Sequence, residues 1–438
     1  MRETTWFLVV GGVFVVMGIA GSMLKRLPCS SAMLYLAIGA ALGTPGAGIL
    51  ALDMFRDAHL LRVLTEVALL VSLFAIGLRL RAPLADPVWG LPLRLGVLAM
   101  LITIPLLTAF GMVVLELPIG PALLMAAILA PTDPVLAHDV QVQDSRDQDQ
   151  MRFALSGEGG LNDGAAMPFA LLGIALCAQP DKPIAAALSP VFMAHALWGG
   201  IGAIGIGAAL GWATTHVVAW LRTQHAQALG LEGFFALGLI VLSYGAAELA
   251  HTYGFLAVFA AGVAMRRVEH RASGERTAQA TIGTVDPQDI QATAAHPDKA
   301  HAYMAESILG FTIELEKIAE MATMIIIGNV LTTLPVPLFS PCNAMVAAVL
   351  FLLVRPLAVG MSLAGSRASP AQRRLMSWFG IRGIGSFYYT AFALEHGVQS
   401  STAIVPTALF TVTASVVVHG ISATPLMNWY QRWRQAHQ

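Results

Sequence analysis

Ala130-Pro131-Thr132-Asp133-Pro134 and Gly157-Glu158-Gly159-Gly160-Leu161-Asn162-Asp163-Gly164 are the two stretches that decide how this chain is read. Both set carboxylates inside runs that otherwise have the composition of lipid-buried helices. A charged side chain at the bilayer centre costs about 2.5–3.5 kcal/mol on insertion scales, so such residues face a packed interior or a water-filled cavity and mark ion or proton pathways. The two prolines of the first stretch also interrupt a helix and free carbonyl oxygens that regular turns would pair. The pattern points to a transporter that loads and unloads a buried carboxylate.

Composition supports that reading. Of 438 residues, 56% are hydrophobic and 12% charged, against about 25% charged in soluble domains. The formal net charge of −1 argues against a nucleic-acid partner. Cys29, Cys177 and Cys342 lie far apart in apolar runs, without metal-site spacing, and read as small buried hydrophobes. Lys25 and Arg26 follow the first apolar run instead of preceding it, so that run is a spanning helix and not a signal peptide.

Runs of about 20 apolar residues, the length needed to span, recur thirteen times. They centre near Val15, Leu36, Val71, Thr103, Ile128, Pro168, Gly205, Ile240, Phe259, Met321, Leu352, Ser386 and Ser415. The expected fold class is an all-α polytopic membrane protein with about 13 transmembrane helices. With the N-terminus outside, most arginines and lysines fall in cytoplasmic loops and only Arg2, Arg56, Arg62 and Lys182 fall outside. The positive-inside rule therefore places the C-terminus in the cytoplasm.

The chain reads as one membrane transporter unit, 1–438. Residues 1–178 form a first repeat, 189–221 a connecting helix and 229–428 a second repeat. The polar segment 266–301 is expected to be a cytoplasmic loop. Six helices per repeat and one connector make the repeats inverted. The fifth segment is interrupted by Pro131 and Pro134 and its counterpart, the twelfth, by Gly380, Gly383 and Gly385. Helix breakers at matching places in two halves point to a transporter's binding site.

Asp163 is the leading candidate for the exchanging group. Carboxyls held out of water keep protons more tightly, so proton and cation compete for such a group. Asp133 and the Thr132 hydroxyl or carbonyl offer oxygen ligands to a hard cation such as sodium. Glu158 and Asn162, four residues apart, share a helix face, and Asp163 points about 100° further round. Glu158 is expected to form a structural ion pair with Arg355, and Asn162 to orient the site. Arg382, inside the break of the twelfth segment, offsets the negative end of a half-helix or pairs with Asp133. Glu320 is a possible accessory acid, with a charge network to Lys317 and Glu316 as the plainer reading. Glu66, close to Arg62, is read as interfacial. The glycines of the seventh segment predict tight packing within the chain.

The Thr132-Asp133-Pro134 stretch, followed about thirty residues later by Glu158 to Asp163, resembles the signature of the NhaP-type sodium/proton antiporters. These are relatives of the animal sodium/proton exchangers. Gly254 to Gly262, Glu320 to Gly328, Arg355 and Arg382-Gly383 extend the resemblance over the whole chain. It implies thirteen helices, a dimerisation domain and a six-helix core in which discontinuous helices 5 and 12 cross. It also implies a homodimer, a sodium site at Asp163, Asp133 and Thr132, a Glu158–Arg355 pair and electroneutral exchange. Two positions depart from the pattern. Ala75 follows Leu73-Phe74 where many relatives have an acid, and Gly159 stands where some have serine.

The expected function is exchange of sodium, or a similar small monovalent cation, for protons in the plasma (inner) membrane. Membrane lipid is the surrounding partner, and no cofactor is called for. Two alternatives remain open: a potassium/proton antiporter of the same fold, and a transport-inactive ion-sensing protein, which the loss at Ala75 favours. No nucleophile–base pair or catalytic metal set is found, so an enzyme is not expected.

Overall fold

Backbone in lipid must satisfy its own hydrogen bonds, and a helix is the one open element that does so. The apolar runs accordingly become helices. The computed structural model describes residues 3–24, 30–44, 46–133, 136, 140–142, 147, 149–181, 183–225, 227–274, 276–283, 290–398 and 401–437. Within them the thirteen expected segments are α1 (Glu3–Leu24), α2 (Ser31–Leu42), α3 (Ala58–Arg79), α4 (Pro87–Val113), α5 (Ile119–Leu129), α6 (Gln150–Ala178), α7 (Pro190–His225), α8 (Glu232–Leu249), α9 (Gly254–Ser273), α10 (Ala300–Thr333), α11 (Pro341–Ser362), α12 (Ile384–Glu395) and α13 (Ser401–His437). Among the described residues, α3, α4, α6, α7, α8, α11 and the Ala403–Ala436 part of α13 are long and apolar enough to cross a membrane by themselves. The protein is a multi-pass membrane protein. Lys25, Arg26, Cys29, Pro134, Arg146 and Lys182 lie outside the described residues.

The helices pack as two groups. Helices α4, α5, α6, α11, α12 and α13 contact one another, and α2, α3, α7, α8, α9 and α10 form a second set. The groups meet where α12 lies on α3 and α9 on α6. Close approach within the second set uses the glycines of α7: a Cβ at Gly207 or Gly211 would strike the backbone of α9 at Ala257 or Ala261.

Two local features of the backbone recur in the two halves. Helix α4 carries a wide, π-type turn at Arg94–Leu98, and α11 carries one at Leu350–Val354, just before Arg355. Such turns inside helices concentrate at functional sites. Helix 12 is discontinuous. Its first piece, Pro370–Trp378, opens with a capping box between Ser369 and Gln372 and with Pro370 in the first turn, a strong start signal. Residues 379–383 are then non-helical before α12 resumes the path. Helix 5 likewise stops at Leu129, ahead of Pro131.

The polar segment 266–301 departs from a loop. Helix α9 runs on to Ser273, short helices occupy Ala278–Ile282 and Ile290–Ala295, and α10 begins at Ala300. Its first residues are packed because their charges cancel. Buried Arg266 meets Glu306 at 2.9 Å and Glu269 at 3.3 Å, and Arg81 meets Glu269 at 2.9 Å. Residues 284–289 lie outside the described set.

Candidate ion site at a helix crossing

A broken helix exposes partial charges at its new ends, positive at an N-terminus and negative at a C-terminus. At this crossing the exposed ends are met by charged side chains from the opposite strand of the cross. The guanidinium of Arg382 donates to the carbonyl of Ala130, at the C-terminal end of α5. Asp133 caps the N-terminal end of α12: one oxygen accepts from the Ile384 amide and the other from the Leu136 amide at 3.2 Å. The Asp133 amide in turn donates to the Ile381 carbonyl at 2.7 Å. A Cβ at Gly383 would collide with the Asp133 carboxylate, so only glycine lets the carboxylate reach the helix end.

Arg355 serves the third exposed end. It forms a two-pronged pair with Glu158, one arm at 2.9 Å. The same guanidinium donates to the carbonyls of Met376 and Phe379 at 2.9 and 3.1 Å, where the first piece of helix 12 terminates. Paired, bidentate geometry is what a buried guanidinium and carboxylate require to offset desolvation.

Helices α6 and α13 brace the breaks of helices 5 and 12. From α6, the Asn162 amide donates to the Thr132 hydroxyl at 2.6 Å and to its carbonyl at 3.3 Å. From α13, the Ser415 hydroxyl accepts from the Arg382 amide at 2.7 Å, and His419 joins Ser415 to the Trp378 carbonyl at 3.1 Å.

Asp163 is treated differently. It is fully buried, and among the described residues neither of its carboxyl oxygens has a hydrogen-bond partner. The Asn162 carbonyl oxygen next to it is also buried and unpaired. A Cβ at Gly385 would stand 2.6 Å from Asp163 Oδ1, so glycine there opens the space the carboxylate faces. The Tyr389 hydroxyl donates to the backbone carbonyl of Asp163, not to its side chain. Buried polar atoms in folded proteins are nearly always paired, so three oxygens unpaired among the described residues make this the candidate place for a cation or a proton.

The crossing therefore gathers Thr132, Asp133, Glu158, Asn162, Asp163, Arg355 and Arg382. Glu320 is elsewhere: it accepts from Ser31 of α2 at 2.8 Å, because α10 lies along α2. The network foreseen for it also differs, since Lys317 pairs with Glu314 at 2.7 Å and Glu316 with Arg79 and Ser72. Asp133 arrives mainly as a helix cap, with oxygens already engaged by backbone amides. Arg382 meets the half-helix end, the first of its two expected roles. Sequence reasoning missed Tyr389, Ser415 and His419. A serine and a histidine one turn apart in an apolar span were the available signal for the latter two.

Comparison with known proteins fits this geometry. The family described as "Sodium/hydrogen exchanger, transmembrane" matches residues 12–286 and 307–429. The chain belongs to the sodium/hydrogen exchanger family. Among curated relatives, the K(+)/H(+) antiporter NhaP of Alkalimonas amylolytica is 22% identical over 96% of this chain. The K(+)/H(+) antiporter NhaP2 of Shewanella sp. (strain ANA-3) is 24% identical over 95%. The chain spans 66% of the length of each. Among solved structures, the sodium proton antiporter MjNhaP1 of Methanocaldococcus jannaschii superposes in two determinations, with TM-scores of 0.66 and 0.71 at 18% identity. Each covers 97% of this chain, and 98% and 97% of the matched chains respectively. That likeness is one of fold.

Proposed function

We propose that this chain is a secondary antiporter that exchanges a small monovalent cation for protons by competition at Asp163. One observation carries the proposal. Among the described residues, every other charged group at the crossing is tied to a helix end or an ion pair, and the Asp163 carboxylate has no hydrogen-bond partner. A bare carboxylate in a water-excluded site is costly. Asp163 is therefore stable with a proton or with a cation, and crossing empty is disfavoured. Exchange is then one for one and electroneutral.

In this reading Asp163 and the unpaired oxygen of Asn162 bind the cation, with the Thr132 oxygens beside them. Asp133, Glu158, Arg355 and Arg382 hold the frame. The cation is sodium or potassium, since oxygen ligands suit both. The solved relatives are named sodium proton antiporters and the curated ones K(+)/H(+) antiporters. The working form is a homodimer in the plasma (inner) membrane, N-terminus outside and C-terminus cytoplasmic, as the arginine distribution favours.

Reconstituted vesicles with a trapped pH-sensitive dye test this. Addition of sodium, lithium or potassium, but not choline, is expected to dissipate a preset pH difference. The half-saturating cation concentration is expected to rise as pH falls, because the proton is the competitor. No response to any of the three ions overturns the proposal and leaves an ion-sensing role in its place.

A further inference from the structure

A second polar cluster lies away from the crossing, on helices α3, α8 and α12. Glu66 is its hub. One oxygen accepts from Arg62 at 2.8 Å, and the other accepts from the Tyr244 hydroxyl and, at 3.4 Å, the Tyr388 hydroxyl. Arg62 also pairs with Glu395, which meets His59 at 2.8 Å.

Exposure falls steadily along this chain of contacts. The side chain of His59 is 73% exposed, Glu395 31%, Arg62 19% and Glu66 12%. Tyr388 is 2% exposed and Tyr389 and Asp163 are fully buried. Tyr388 and Tyr389 have ring centroids 5.2 Å apart, Tyr388 stands edge-on to Phe255 of α9 at 4.9 Å, and Tyr389 bonds the Asp163 carbonyl. The cluster is thus continuous from solvent to the exchanging residue. It also bridges the two helix groups. Tyr388 and Glu395 belong to α12, in the group with Asp163, while Arg62, Glu66 and Tyr244 belong to the other group.

We infer that Glu66, Arg62, Tyr244 and Tyr388 close the route between Asp163 and the membrane face at which α3 begins, the outer face by the arginine distribution. The inference rests on the reading of Asp163 as the exchanging group. A carboxylate taking donors from three helices holds only while the helices keep their places. Relative movement of the two groups breaks the Tyr388 and Glu395 contacts together, and the aromatic plug opens with them. Exchange requires this opening once per cycle.

Thiol labelling tests the closure without needing transport. Asp163→Cys is made in a chain whose Cys29, Cys177 and Cys342 are replaced by alanine, and vesicles of known orientation are treated with a membrane-impermeant maleimide from each face. Adding Tyr244→Phe with Tyr388→Phe removes two donors and keeps both rings. The labelling rate from the face nearest Ala58 is expected to rise about tenfold, the scale of hydrogen bonds to a charged group, with no rise from the opposite face. Glu66→Gln is read the same way and replaces the double variant should that one aggregate. An unchanged rate at the Ala58 face, or an equal rise at both faces, overturns the inference. Failure of the wild-type chain to exchange cations is a separate result that bears on Asp163 and not on this closure.

Discussion

Glu158 and Asp163 stand five residues apart on α6, both buried, and their surroundings differ at every atom. Glu158 has a guanidinium on both oxygens, and that guanidinium also closes the end of a half-helix. Asp163 faces glycine, lies beside an unpaired amide oxygen, and among the described residues accepts nothing on its carboxylate. Desolvation weighs on both. In one it is offset by a fixed countercharge, which makes the pair part of the scaffold. In the other no fixed group among the described residues offsets it, and in the proposed function a proton or a cation does so in turn. On the proposed reading, one helix carries both a permanent and an exchangeable charge, and it is the partner, not the acid, that decides.

Removing the fixed countercharge relation gives the largest expected effect. Glu158→Gln leaves Arg355 charged and buried without its partner, which costs about 3–5 kcal/mol. Thermal or denaturant unfolding of the detergent-solubilised protein is expected to show that loss, and adding Arg355→Met to restore a good part of it. A Glu158→Gln protein as stable as wild type would erase the distinction between the two acids.

Crowding the proposed exchange site comes next. A methyl group at Gly385 would sit 2.6 Å from Asp163 Oδ1, so Gly385→Ala is expected to raise the half-saturating cation concentration about tenfold, equivalent to about 1.4 kcal/mol. Vesicle exchange rates measured against cation concentration check it. An unaltered value would mean the cation binds away from that oxygen.

The smallest effect is expected in the brace of the second half. Ser415→Ala strands the Arg382 amide and is expected to cost about 1 kcal/mol, seen as a modest fall in unfolding midpoint. A larger loss than that of Glu158→Gln would place the structural weight at α13 and invert the comparison.

The helix count and the crossing were legible in the sequence because lipid imposes a length on every span and because prolines and glycines mark breaks. The Glu158–Arg355 pair was legible since two opposite charges in apolar runs must find each other or pay for burial. The partners of the Ala130 and Ile384 helix ends were less so. The sequence offers Asp133 as a cation ligand or a partner of Arg382, and its capping of α12 is visible only where the Ile384 amide meets it. Glu320 misled because an acid in a span draws attention wherever its hydroxyl donor sits, here Ser31, 289 positions away. The wide turns at Arg94–Leu98 and Leu350–Val354 have no sequence mark, since any apolar helix accommodates one. The segment from Arg266 lacks apolar periodicity, and composition alone predicts a loop there. Ion pairs with Glu269 and Glu306 stabilise helix there instead.

Competition between proton and cation at one carboxylate is measured most directly by proton release. Purified protein in weakly buffered detergent solution, held at a pH where the site is protonated, is given sodium or potassium while the pH of the medium is followed. Wild-type protein is expected to release a proton on cation binding and the folded Asp163→Asn variant to release none. Undiminished release from Asp163→Asn would contradict the assignment.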